Sequence, residues 1–300
     1  FSQWMANDCT VCTTLVDTIV PGRIRDPKEA AAVAERLGYE DPFLAVREPF
    51  QMWGIQGDES LKERLPFVKA GLPGVFVTPD VTPYKKRKVR ILNGAHTAFV
   101  PGSWVAGFDI VRDCMHDETV RGFMNTMLYD EVIPTLAADL DVEDCKAFAA
   151  AVENRFDNPF IDHALLSICL NSTAKWRARD LPTLKDYVAE TGNLPKCLAT
   201  SLATLIAFYT QELVAREGDG LHLRRADGTE YTAQDDAFVL DFYAAHAGAD
   251  DAELVHDVLS NEQMWGEDLT QIAGLEEFVV NALAVVRAEG AKQAFANAQA

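Results

Sequence analysis

From about Tyr84 to the carboxyl terminus, apolar residues recur at three- and four-residue spacing in eight segments: 85–100, 117–138, 142–157, 159–180, 194–217, 233–247, 250–260 and 275–298. A chain with that periodicity buries one stripe of each segment, which restricts it to packed helices. Short breaks carry Pro, Gly or Asp, as at Pro134, Asp157 to Pro159, Pro182, Gly192 to Pro195 and Gly218 to Gly220. The expected fold class is mainly α, with residues 84–300 forming one large all-helical domain. The polar, Gly-rich stretch GDGLHLRRADGTEY, 218–231, is expected to be a surface excursion between helices.

Residues 1–83 have a different texture. TLVDTIVP, 14–21, alternates like a strand, and DPKEAAAVAERLGY places Asp26 as N-cap and Pro27 at the first helical position. Two further β-leaning runs follow, REPFQMWGIQG (47–57) and PGVFVTPDV (73–81). Three short strands with a connecting helix form a small α/β unit that would extend a larger sheet. The chain starts without methionine and its first strand has no partner before it, so it is expected to be the carboxyl-terminal part of something longer.

The balance of 27 basic against 46 acidic residues, a net charge of −19, argues against a broad nucleic-acid or anionic-membrane surface. No apolar run reaches the roughly 18 to 20 residues that span a bilayer. The amino-terminal FSQWMANDCT lacks the basic and apolar regions of a signal peptide, so the chain reads as cytoplasmic. CTVC, 9–12, is the only close cysteine pair. A structural zinc needs two further ligands, and only Cys114 and His116 are closely spaced, so no metal is expected and the thiols should be buried and free. Trp53, Trp104, Trp176 and Trp265 are expected in the core.

Against that acidic background, KKRKVRILNGAHTAFVP (85–101) stands out. On a helix at 100° per residue, Lys88, Asn93 and His96 fall within an arc of about 140°. One face then offers an amine, an amide and an imidazole, the groups needed to move a proton on or off an alcohol or carbonyl oxygen. From spacing alone the alternative stays open that Lys88 snorkels, Asn93 caps a neighbouring loop and His96 is a satisfied core histidine.

KVRILNGAH closely resembles the signature of the polyol-specific long-chain dehydrogenases, the mannitol dehydrogenase family: Lys, four residues, Asn, two residues, His. LVDTIVPG (15–22), EPF (48–50), RFDNPFIDH (155–163) and LNSTAK (170–175) look like further family motifs in the family's order. QMWGIQG, TPYKKRKVRILNGAHTAFVP and DLTQIAGL (268–275) look most like the hexuronate branch, which interconverts tagaturonate and altronate. The resemblance implies a zinc-independent, NAD-dependent reductase, with Lys88 as general acid/base, Asn93 as oxyanion donor and His96 as a partner to substrate. It implies a second donor four residues before the aspartate of the VD motif, which here is Thr13 rather than asparagine. It also implies that residues 1–83 are the end of a Rossmann domain whose sheet they extend. No GxGxxG fingerprint is present, since Gly218 and Gly220 lack a third glycine at 223. NAD is therefore expected to bind mainly outside this chain, which alone should be inactive.

A hexuronate brings a carboxylate that a chain of net charge −19 repels unless local cations compensate. Arg155, His163, Lys175, Arg177 and Arg179 are the candidates, with Arg155 and Lys175 leading and His163 also assigned to substrate. If 159–180 is one extended helix, His163 and Lys175 stand three turns apart and cannot share one carboxylate. Two other readings remain: a fructuronate or mannitol type reductase of the same family, and a non-catalytic helical binding or assembly module.

Overall fold

Asp26 and Pro27 open the first well-formed helix, Pro27–Leu37: the Asp26 carboxylate accepts from Lys28 N at 2.9 Å. Gly38 closes it at φ 79°, in the left-handed region that glycine adopts without strain. In the computed structural model, which describes residues 1–24 and 26–300, this helix lies in the first of two compact units, Phe1–Lys88 and Val89–Ala300.

The first unit is built on short strands: β1 (Thr14–Asp17), β2 (Gly22–Arg23), β3 (Ala45–Val46), β4 (Met52–Gln56) and β5 (Val75–Thr78). β4 is central, antiparallel to β1 with Thr14 opposite Ile55, and parallel to β5 with Trp53 opposite Val75. A Cβ at Gly74 would stand 2.1 Å from the Gln51 carbonyl oxygen, so only glycine lets the chain enter β5 beside β4. Leu15, Ile19, Met52, Ile55 and Val81 are buried. Trp53, expected in the core, is instead 37% exposed and stacks on Phe67 at 5.0 Å. It sits on the opposite face of β4 from the buried Met52 and Gly54.

The second unit is helical. Its centre is the pair Gly94–Val105 and Lys196–Tyr209, in which Gly94 to Trp104 and Cys197 to Tyr209 are buried throughout. At Gly102 a Cβ would meet Phe295 at 2.4 Å and Thr204 Oγ1 at 2.8 Å, so the glycine sets how closely these helices approach. Trp176 and Trp265 are fully buried edge to face at 5.6 Å, and Trp104 is buried against Tyr231.

Two expected helices are interrupted, and one expected excursion is a sheet. Residues 159–180 form the short Leu165–Ile168 helix and the separate Ser172–Arg179 helix, with Asn171 at φ 52° between them. The segment 194–217 is helical only over Lys196–Tyr209 and continues as β6 (Glu212–Glu217). The expected surface excursion is in fact β7 (Gly220–Arg224) and β8 (Glu230–Ala233), an antiparallel β6-β7-β8 sheet. Period-two burial of Leu221 and Leu223, with Tyr231 and Ala233 opposite, makes these residues part of the core. The domain is therefore mainly rather than wholly helical. Arg225, 6% exposed, lies over the Trp104 ring at 4.4 Å and donates to the Trp104 carbonyl at 3.2 Å, tying this sheet to a helix end.

All six cysteines are free; four are buried, while Cys9 and Cys12 are half-exposed rather than covered. Among the described residues, no helix is long and apolar enough to cross a membrane.

Candidate active site

The KVRILNGAH string, 88–96, does not form a regular α-helix. Lys88–Asn93 is a π-helical turn, followed directly by the α-helix from Gly94. Bonding from i to i+5 turns the chain less per residue, so Lys88 and Asn93 lie closer to eclipse than α-helical spacing allows. Such turns are uncommon, and they recur at functional sites because they re-aim side chains. Lys88 Nζ donates to the Val16 carbonyl of β1 at 3.0 Å. The Asn93 carbonyl accepts from Thr97 Oγ1 at 2.9 Å, while its side-chain amide forms no hydrogen bond with a described residue.

His96 is 6% exposed, and its ring lies flat on Phe156 at 4.0 Å and meets His163 edge-on at 5.5 Å. Nε2 is buried without a hydrogen-bond partner. Burial pushes the imidazole pKa well below its ordinary value, and His163, Arg179, Arg155 and Lys175 push it the same way. His96 is therefore a neutral ring with one unpaired nitrogen. An unsatisfied buried polar atom is costly, and a substrate hydroxyl would satisfy it.

The interrupted helix bears on how these groups are placed. Asn171, in a left-handed conformation, separates the Leu165–Ile168 and Ser172–Arg179 helices and His163 precedes both, so His163 and Lys175 do not lie three turns apart on one helix, contrary to expectation. Both act on His96, together with Arg155 from the end of the Val142–Phe156 helix. Lys175 Nζ donates to the Ile168 carbonyl at 2.9 Å, and burial lowers its pKa. Arg179, one turn further, donates to Thr97 Oγ1 at 2.9 Å. The Asp235 carboxylate holds the start of this helix by accepting from Thr173 N at 3.0 Å and from the Tyr209 hydroxyl.

Arg177 does not act on His96 with these groups. Arg177 is exposed and its guanidinium lies against Gly266, where a Cβ would be 2.3 Å away. Thr13 lies in the first unit, exposed, with its carbonyl accepting from Gln56 N at 2.9 Å. Sequence reasoning named Arg179 among the candidate cations but assigned only Arg155, His163 and Lys175 to substrate. The signal for Arg179 was its i, i+4 relation to Lys175, which puts both on one helix face. Phe156 and the buried Asp180 carried no sequence signal.

A dinucleotide needs a glycine-rich turn from strand into helix. Gly218 instead lies in the β6–β7 hairpin turn and Gly220 opens β7, paired with Glu217. After β4 a single glycine, Gly57, precedes a six-residue helix whose N-cap is the Asp58 carboxylate, which would repel a phosphate. The described residues therefore do not fit a pyrophosphate. Among them, no three His, Cys, Asp or Glu side chains gather as metal ligands.

Comparison with known proteins gives this geometry a context. Residues 80–287 match the family described as the mannitol dehydrogenase C-terminal domain. The chain is 41% identical over 302 residues to the altronate oxidoreductase of Yersinia enterocolitica serotype O:8 / biotype 1B, covering 99% of this chain and 59% of that protein. It is 42% identical over 300 residues to the altronate oxidoreductase of Escherichia coli O17:K52:H18, covering 98% of this chain and 58% of that protein. The chain thus spans less than two thirds of the length of these relatives. Its fold matches the mannitol 2-dehydrogenase of Pseudomonas fluorescens, solved as a ternary complex with NAD and D-mannitol. The TM-score is 0.77 at 21% identity, over 98% of this chain and 55% of that one. A D-sorbitol dehydrogenase in substrate-free form matches at TM-score 0.75 and 20% identity, over 98% of this chain and 56% of that one.

Proposed function

The chain belongs to the mannitol dehydrogenase family, whose C-terminal domain it carries, and from that premise we propose that it supplies the substrate-binding and proton-transfer groups of an NAD-dependent oxidoreductase interconverting tagaturonate and altronate. The observation that carries this reading is the convergence of Arg155, His163, Lys175 and Arg179 on the buried, neutral His96. A chain of net charge −19 that concentrates cations around a hydrogen-bonding ring suits a substrate that is both a polyol and an anion. The names of the relatives agree with it.

In this mechanism the carboxylate of the sugar acid is held by Arg155 and Lys175, with His163 beside them. Arginine suits a bidentate contact, and lysine supplies a point charge. His96 Nε2 takes a hydrogen bond with a substrate hydroxyl, and the neutral ring can serve as donor or acceptor. The Asn93 amide donates to the oxygen that becomes an alkoxide, and Lys88 Nζ delivers the proton to that oxygen in reduction and removes it in oxidation. Thr13 is assigned a further hydroxyl contact near that oxygen. Charge on the oxygen is met by an ammonium and an amide, so the reading is zinc-independent. NAD supplies or accepts the hydride, and the reading assigns its binding to sequence beyond these 300 residues, since no described turn fits the pyrophosphate.

The test is a comparison of NADH oxidation by the full-length gene product with tagaturonate, fructuronate and fructose. The expected result is the highest kcat/KM for tagaturonate and the lowest for uncharged fructose. A preference for fructose would sink the uronate reading, and no turnover with any of the three would favour a non-catalytic helical module.

A further inference from the structure

Two consecutive residues at the end of the Ser172–Arg179 helix close on a single peptide of the catalytic motif. Arg179 Nη1 donates to Thr97 Oγ1 at 2.9 Å and reaches the Asn93 carbonyl at 3.5 Å. Thr97 Oγ1 in turn donates to that same carbonyl at 2.9 Å, which makes a two-step relay from guanidinium to peptide oxygen. On the other side of the peptide, Asp180 Oδ1 lies 2.8 Å from where a Cβ of Gly94 would stand.

Asp180 is 1% exposed and its Oδ2 has no hydrogen-bond partner. Burial drives its carboxyl pKa well above the ordinary range, against the pull of Arg179 and Arg90. The carboxyl group packs against the Gly94 backbone, where the glycine leaves room for it. The peptide it touches is the junction where the π-helical turn ends at Asn93 and the α-helix begins at Gly94. The register of backbone hydrogen bonds changes at that point, and the contacts of Thr97, Arg179 and Asp180 hold the junction from outside the backbone ladder.

The geometry points to Arg179 and Asp180 as positioning residues that fix the Asn93–Gly94 peptide, through Thr97 on the carbonyl side and by direct packing on the glycine side, so that the Asn93 amide meets the reacting oxygen of a keto-sugar acid in one orientation. The inference rests on the reading of Asn93 as oxyanion donor. A donor earns its catalytic effect by being held in place before the charge develops, and small misplacements are expensive. It also separates Arg179 from Arg155 and Lys175: its guanidinium is engaged with the motif helix, so its removal should act on turnover more than on substrate affinity.

A double-mutant cycle in the full-length enzyme tests this. Thr97→Val breaks the relay without changing any charge, and Thr97→Ser restores the hydroxyl. Thr97→Val should lower kcat by about 10- to 100-fold with KM for the sugar acid little changed, and Thr97→Ser should recover most of the loss. In an Asn93→Ala background, Thr97→Val and Arg179→Ala should each change kcat by less than about twofold, because the group they position is already gone. Full multiplication of the losses would overturn the inference, as would a loss confined to KM or no recovery with Thr97→Ser. Should Asn93→Ala alone leave kcat unchanged, the role of Asn93 itself fails, and that outcome is distinct from additivity. The Thr97 series stands without the Arg179 variant.

Discussion

His96 shows how much of a functional residue is set by its surroundings. A ring stacked on Phe156, with four positively chargeable neighbours, has no favourable way to hold a proton. Its NMR signals should keep neutral-imidazole shifts from pH 8 down to 6, whereas an unperturbed histidine titrates near a pKa of about 6.5. The sign of the stability effect follows. The folded pKa lies below the unfolded one, so the contribution is complete above about pH 6.5 and is lost as pH falls through the folded value. In urea unfolding, the parent chain should lose stability between pH 7 and pH 5.5, and His96→Asn should lose less. Equal losses would remove the buried-neutral assignment. The sequence exposed His96 through its spacing from Lys88 and Asn93, but not its charge state, because that depends on Phe156, His163 and Arg179 arriving from other elements. The contacts of Arg179, named only as one cation among several, and of Asp180, which carried no signal, were hidden for the same reason: they are made with Thr97 and Gly94, more than eighty residues away.

At the scale of elements, a second π-helical turn repeats the lesson. Met127–Val132 places Glu131, 5% exposed, at the start of the central Lys196–Tyr209 helix, whose N-cap position is Pro195 with no capping side chain. Glu131 accepts from Cys197 N at 2.7 Å and from Leu198 N at 2.9 Å, satisfying two amides that the helix cannot satisfy itself. Burial pushes its carboxyl pKa up to about 7, although both amides favour the charged form. Glu131→Gln turns one acceptor into a donor facing an amide. It should cost about 1–3 kcal/mol, read as a lower urea midpoint at unchanged m value. No change in midpoint would mean that the two amides find other partners. Helical periodicity marked most of these segments, since a buried stripe leaves a three-to-four spacing. It could not mark the π turns, where one extra residue leaves the pattern almost intact. Nor did it separate Ser172–Arg179 from the helix before it, because the break rests on Asn171 alone. The β6-β7-β8 sheet was hidden by its polar, Gly-rich turns. Without that sheet, Asp235 would not cap the helix that carries Lys175.

At the scale of the whole molecule, a chain of net charge −19 places Arg155, Lys175 and Arg179, all half-buried, where they act on one buried ring. Family membership was legible because several motifs recur in order along the chain. The family match over residues 80–287 and the altronate oxidoreductases at about 41% identity agree with it. Which groups perform chemistry is a separate matter, and Lys88 is the residue on which the proposed mechanism turns. Its amine docks on the Val16 carbonyl, at the end of the π turn that also carries Asn93. The most direct measurement is steady-state NADH oxidation with tagaturonate by full-length enzyme carrying Lys88→Ala, alongside NADH binding by fluorescence. The mechanism expects kcat to fall by about 10²–10⁴-fold while NADH affinity stays nearly constant, because the lysine acts on the reacting oxygen. Turnover equal to that of the parent enzyme would contradict it.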